Sequence, residues 1–77
     1  MMTISAAQIR AARGLLNWSQ TDLAAAACLS RPTIDRAERT GISSDALAAI
    51  QRALEVAGVE FIAENGGGAG VRLRKGS

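Results

Sequence analysis

Between Trp18 and Gly41 the chain reads W-S-Q-T-D-L-A-A-A-A-C-L-S-R-P-T-I-D-R-A-E-R-T-G, a stretch whose basic side chains are all arginine, interleaved with serine and threonine. A guanidinium offers a planar fork of donors that matches phosphate oxygens or the edge of a guanine, and hydroxyls add single donors beside it. This is binding chemistry. For catalysis or metal ligation the chain is poorly equipped. It has no histidine and a single cysteine, Cys28, which leaves a zinc site without its usual ligands and allows no disulfide within the chain. The glycines at 66–68 are followed by an alternating segment rather than a helix, so they do not read as a phosphate-cradling loop. No enzyme, metal or cofactor is expected.

The elements that must carry these side chains are two helix starts in close succession. Ser19 is placed to accept from first-turn amides while Asp22 reaches back, the reciprocal arrangement of a capping box. Ser30 caps the second start, and Pro32 sits in its first turn, where an amide hydrogen would have no intrahelical partner. Arg31 and Thr33 then stand at the exposed opening of that helix. Two short helices joined by a tight turn outline a helix-turn-helix, which points to double-stranded DNA.

Around this pair the periodicity predicts two further helices and a hairpin. A first helix over 6–16, capped by Ser5 with Gln8 three residues later, sets Ile9, Ala12 and Leu16 inward and Gln8 and Arg10 elsewhere. The second helix, 20–27, turns Leu23, Ala24 and Ala27 inward. The third, 31–39, turns Ile34 and Ala37 inward with Glu38 beside them. Ser43 or Ser44 caps a fourth helix reaching Ala57, striped by Leu47, Ile50 and Leu54 and stopped by Gly58 as a left-handed cap. From there the period becomes two. Val59, Phe61 and Ala63 alternate with Glu60, Ile62 and Glu64, a glycine turn covers 65–70, and 71–74 alternates again. Pairing Ala63 with Val71 brings Phe61 opposite Leu73 and Glu60 opposite Arg74. The expected fold is mainly α, with residues 1–58 as a four-helix domain and 59–77 as a C-terminal β-hairpin.

Bulk properties bound this reading. At 77 residues the chain is one small domain, in a size range where folding buries only roughly 60% of the unfolded surface. Its hydrophobic fraction is 48%, much of it alanine, so the core must come from close helix packing around a few leucines and isoleucines. Without disulfide or metal, oligomerisation is the remaining source of stability. The formal charge of +2 lies within residues 1–43, where five arginines face three acids, and residues 44–77 balance. The longest apolar run, 23–29, is seven residues, against the about 18 that a membrane span requires. The start M-M-T-I-S-A-A-Q is unlike a signal peptide. A soluble chain in the reducing cytoplasm is expected, with no membrane partner.

W-S-Q-x-x-L-A followed by S-R-P-T-I-x-R-x-E resembles the XRE-type, lambda-repressor-like helix-turn-helix family of bacterial and phage transcriptional regulators, over about Ile4 to Leu54. The resemblance implies that Gln20 contacts a DNA phosphate, that Arg31, Pro32 and Thr33 enter the major groove and touch bases with Arg36 one turn on, and that Arg13 pairs with Glu38. Arg31 suits a guanine, Thr33 a phosphate or a thymine methyl, and Pro32 apolar contact alone. Asn17, Ser19, Arg39 and Thr40 are placed to join Gln20 on the phosphates, which position without specifying. Asp35 either accepts from a cytosine or restrains Arg31 or Arg39. One position departs from the family: the turn residue that is usually glycine is Cys28, where a left-handed backbone costs a residue with a β-carbon roughly 1 kcal/mol. A redox-sensing thiol there is weighed against a small buried hydrophobe, and the latter is favoured.

The function implied is that of a transcriptional repressor binding DNA as a homodimer. An isolated two-stranded hairpin is marginal and exposes an edge, so hairpins from two chains are expected to meet through Val59, Phe61, Ile62, Val71 and Leu73, the alternative being a hairpin that lies on its own helices. A second functional reading is an antitoxin-like or accessory module that engages a protein partner such as a toxin. The short tail after the second strand, Lys75-Gly76-Ser77, argues against toxin neutralisation.

Overall fold

A computed structural model describes residues 3–63 and 66–74. Glu64 and Asn65, expected at the end of the first strand and the start of the turn, lie outside the described residues, as does the 75–77 tail. The elements are α1 (Ala6–Leu16), α2 (Gln20–Ala27), α3 (Arg31–Ala37), α4 (Ser44–Val56), β1 (Val59–Ile62) and β2 (Gly70–Leu73).

Each helix begins where a short polar side chain can satisfy orphan amides. Ser5 with Gln8 and Ser19 with Asp22 both form reciprocal capping boxes, Ser30 accepts from the Thr33 amide, and Ser43 accepts from the Ala46 amide. α3 is shorter than its sequence suggests. It ends at Ala37 because the amides of Arg39, Thr40 and Gly41 all converge on the Arg36 carbonyl, closing a turn that Gly41 leaves at φ 109°. Gly58, at φ 107°, follows the Ala57 C-cap of α4 and releases the chain into β1.

The inward stripes meet in a single core of Ile4, Ile9, Ala12, Leu23, Ala24, Ala27, Ile34, Ala37, Ile50, Leu54 and Val59, with Leu16, Leu29, Leu47, Phe61 and Val71 packed partly against it. Cys28 does not join it. It is exposed at φ 57° and ψ 42° as the C-cap of α2, while Leu29 takes the inward place in the turn, half-buried. The expected buried hydrophobe is therefore a solvent-facing residue in the left-handed region that glycine fills at lower cost.

The hairpin lies on the chain's own helices, β2 against α1 and β1 against α4. Its register differs by two residues from the sequence expectation: Val59 faces Leu73, Glu60 faces Arg72, Phe61 faces Val71 and Ile62 faces Gly70. A shift of two preserves which side chains look inward, so the alternation is unchanged. Gln8 ties both strands at this register. Rather than pointing away from the core it is buried, 4% exposed, and its Nε2 donates to the carbonyls of Gly70 (3.0 Å) and Ile62 (3.4 Å), the pair at the loop end of the ladder, while its Oε1 accepts from the Ser5 amide. At the other end Arg74 N donates to the Gly58 carbonyl, and on the outer face Arg72 Nε meets Glu60 Oε1 at 2.5 Å. Glu60 therefore pairs across the strands with Arg72 and not Arg74. Val59 is fully buried in this core, so its side chain is not available to a second chain, contrary to the expectation that it lines a dimer contact.

Gln8→Ala should remove the returning half of the α1 capping box and the hairpin's tie, leaving Ser5 on the residue-8 amide, and lower stability by about 1–3 kcal/mol, read in thermal unfolding as a loss of several degrees and in amide exchange as early loss of protection in β2. Cys28→Gly should act in the opposite sense, raising stability by up to about 1 kcal/mol as the left-handed strain is relieved; an unchanged or lower midpoint would contradict that account of the turn.

Candidate nucleic-acid interface

α2 and α3 are held at a fixed angle by a carboxylate beneath them. Glu38, 3% exposed, caps the C-terminus of α3. Arg13 of α1 meets it with a two-pronged contact, Nε to Oε2 at 2.8 Å and Nη2 to Oε1 at 3.1 Å, and donates its remaining nitrogen, Nη1, to the Trp18 carbonyl at 3.0 Å. The Glu38 hydrogen bond and charge raise the Arg13 pKa, partly against desolvation, so the guanidinium stays charged. Arg10, one turn earlier on α1, donates to the Glu38 backbone carbonyl. The sequence expectation of the Arg13–Glu38 pair describes the contact seen. The part of Arg10 was missed, although its spacing of three from Arg13 places both on one side of α1.

From Glu38 the network runs outward. Gln20, the first residue of α2, donates from Nε2 to Glu38 Oε1 at 3.2 Å and to Asp35 Oδ1 at 3.5 Å. Both of its amide hydrogens are thus directed at carboxylates, and its free oxygen is an acceptor, which repels phosphate. Contact with a phosphate requires this amide to exchange partners. Asp35 also holds Arg39, whose Nε and Nη2 both reach Oδ2, at 3.0 and 2.6 Å. The hydrogen bonds from Arg39 and then Gln20 hold the Asp35 carboxyl below the usual carboxylate range. Of the alternatives for Asp35, restraint of Arg39 is the contact present, and Arg31 acts on it only through charge.

The remaining candidates lie on the same pair of helices and the turns beside them. Arg31 and Pro32 are exposed at the start of α3, and the Arg31 side chain forms no hydrogen bond or ion pair among the described residues. Thr33 Oγ1 shares a 2.8 Å hydrogen bond with Ser30 Oγ and receives Arg36 Nη2 at 3.4 Å, so Arg36 leans back along the helix toward its start. Ser19 accepts from the Asp22 amide at 3.0 Å, which leaves its hydroxyl hydrogen to donate elsewhere. Asn17 is exposed with φ 57° as the C-cap of α1, and Thr40 Oγ1 rests 3.5 Å from the Arg36 carbonyl. Among the described residues no group of His, Cys, Asp and Glu could hold a metal ion, and no helix is long and apolar enough to cross a membrane.

The two partners of the interior ion pair should respond unequally to truncation. Arg13→Ala strands a carboxylate inside the protein and should cost about 3–5 kcal/mol. Glu38→Ala leaves an arginine that can still reach water and the Trp18 carbonyl, and should cost less; equal losses in denaturant unfolding would count against this picture.

Residues 9–61 match the family model described as Helix-turn-helix. No curated protein is significantly similar to the chain. The matched segment begins in α1, runs through the capped α2–α3 pair and α4, and ends in β1, covering well over half of the sequence. With the four helices, the caps and the Arg13–Glu38 tie described above, the chain belongs to the XRE-type, lambda-repressor-like helix-turn-helix family of DNA-binding regulators.

Proposed function

We propose that this regulator is a homodimeric repressor that binds an inverted-repeat operator, with residues 31–39 in the major groove. Arg31, Pro32, Thr33 and Arg36 meet base edges, and Asn17, Ser19, Gln20, Arg39 and Thr40 meet phosphates on either side. The observation that carries this reading is the continuous polar surface from Gln20 through Asp35 to Arg39, beside which Arg31 stands exposed with no partner among the described residues. A guanidinium at the opening of a recognition helix is free to take both acceptors of a guanine. By occupying its site, a small dimer of this kind blocks other proteins from the same duplex.

The outer part of the hairpin is the proposed dimer contact. The sheet has two strands, so each keeps an edge without a strand partner; Leu73 is 50% exposed and Ile62 half-buried, with Phe61 and Val71 at the margin of the core. The reading of the chain as an antitoxin-like module is favoured by a different feature, an apolar groove of about 510 Å³ between α2 and α4 whose rim includes Val56, 80% exposed. A neighbouring small reading frame whose toxicity this chain relieves would support it.

Selection of bound sites from random DNA should return an inverted repeat with half-sites about 34–36 Å apart, and sedimentation should show a dimer. Arg31→Ala should relax preference at one base position by about 1–3 kcal/mol, whereas Gln20→Ala should weaken binding without changing the preferred base at any position. If neither substitution altered affinity in gel shifts, the assignment of this face would be wrong.

A further inference from the structure

We propose that Asp35 is a specificity-determining residue that acts as an internal competitor for DNA phosphate, holding Gln20 and Arg39 on its own carboxylate until a correctly docked duplex replaces it. The inference rests on the DNA-binding reading of this surface. Asp35 lies on α3 one turn after Arg31, amid the donors that would grip the backbone. Of the other acids of this region, Asp22 holds the Ser19 backbone amide, and the nearly buried Glu38 holds Arg13 and shares Gln20 from beneath; Asp35 is the acid whose side-chain partners, Arg39 and Gln20, are both candidate DNA contacts.

The geometry of these contacts suits exchange. Arg39 reaches only one Asp35 oxygen, unlike the fork of Arg13 across both oxygens of Glu38, and the pair is solvent-exposed, with 63% and 38% of the two side chains accessible. The Gln20 contact is at the limit of hydrogen-bond length, 3.5 Å. An arginine neutralised by its own chain releases no counterion when it nears DNA, so it adds nothing to sequence-independent attraction while paired. Base contacts from the start of α3 hold the helix close enough for phosphate to displace the carboxylate. Where the bases do not fit, Gln20 and Arg39 stay on Asp35. Its carboxylate therefore weakens binding to wrong sequences more than to the right one.

The test compares the unaltered chain with Asp35→Asn, which keeps the shape and removes the charge, on a selected site and on a scrambled duplex of equal length; Asp35→Ala serves as a second variant, and circular dichroism checks that each is folded. Asp35→Asn should tighten scrambled-duplex binding about two- to five-fold at low salt, steepen the log–log salt slope by up to about 0.9, and lower the ratio of selected to scrambled affinity. In an Arg39→Ala background the same change should gain less than half as much. In the unaltered chain, adding the selected duplex should shift the Gln20 side-chain amide resonances. Unchanged or weaker scrambled binding, an undiminished gain without Arg39, or a constant ratio overturns the inference alone. Failure of the unaltered chain to bind any duplex overturns the DNA-binding reading and the inference with it.

Discussion

The arrangement of this small domain depends on one carboxylate. Glu38 has almost no access to water, and a charge in that position costs several kcal/mol unless fully paired. Its pairing recruits Arg13 from α1 and Gln20 from the start of α2, while Arg10, also on α1, takes the Glu38 backbone carbonyl at the end of α3. The apolar core alone would specify these positions weakly. Four of its eleven buried hydrophobics are alanine, all of them on α1, α2 and α3, and a methyl group sets how near two helices come more than how they are rotated. The planar fork of Arg13 supplies the missing direction, because both of its bonds to Glu38 persist only at one mutual orientation of α1 and α3.

A second polar anchor does the same for the hairpin. Gln8 is a helix-cap residue by its position three after Ser5, and its oxygen fulfils that role. Its nitrogen reaches across to both strands, so one side chain couples the start of α1 to the register of β1 and β2. A two-stranded sheet has little cross-strand energy of its own. Here it gains the burial of Val59, the partial burial of Phe61 and Val71, and two carbonyls satisfied from outside the sheet. The hairpin is thereby part of the helical domain's core rather than an appendage to it.

What the sequence made legible divides along the range of the interactions. Helix starts at Ser5, Ser19 and Ser30 and the inward residues of α2 could be read because a cap and a helical stripe are decided within about one or two turns of chain. The strand register and the burial of Gln8 could not, since each involves a partner distant in sequence: Gln8 binds carbonyls 54 and 62 residues away. The α3 terminus is local, but the closing turn onto the Arg36 carbonyl carries no cap residue of its own before Gly41. For Gln8, its place beside Ile9 and four before Ala12 was the available signal, outweighed by its polarity. Cys28 shows the converse. Its left-handed backbone followed from its turn position, but its exposure depended on Leu29 filling the inward place. At the candidate interface, residue types and positions were legible from the motif, whereas the hydrogen bonds that occupy Gln20 and Arg39 appear only when α2 and α3 are brought together.

That occupation divides the surface into two kinds of position. The Arg31 side chain has no hydrogen-bond or ion-pair partner among the described residues, so the contact proposed for it is separable from the fold. Gln20 is different: its amide joins the buried Glu38 to the exposed Asp35, and through Asp35 to Arg39, so the path from the interior to the surface has no apolar break. Moving Gln20 onto a phosphate withdraws a donor from a nearly buried carboxylate, which then relies on Arg13 alone among side chains. The bidentate Arg13 contact makes that withdrawal tolerable, since both Glu38 oxygens keep a partner. The interior ion pair thus has a role beyond fixing helix angles. In the proposed DNA complex it would let the first residue of α2 change partners at the surface without leaving the charge beneath it unpaired.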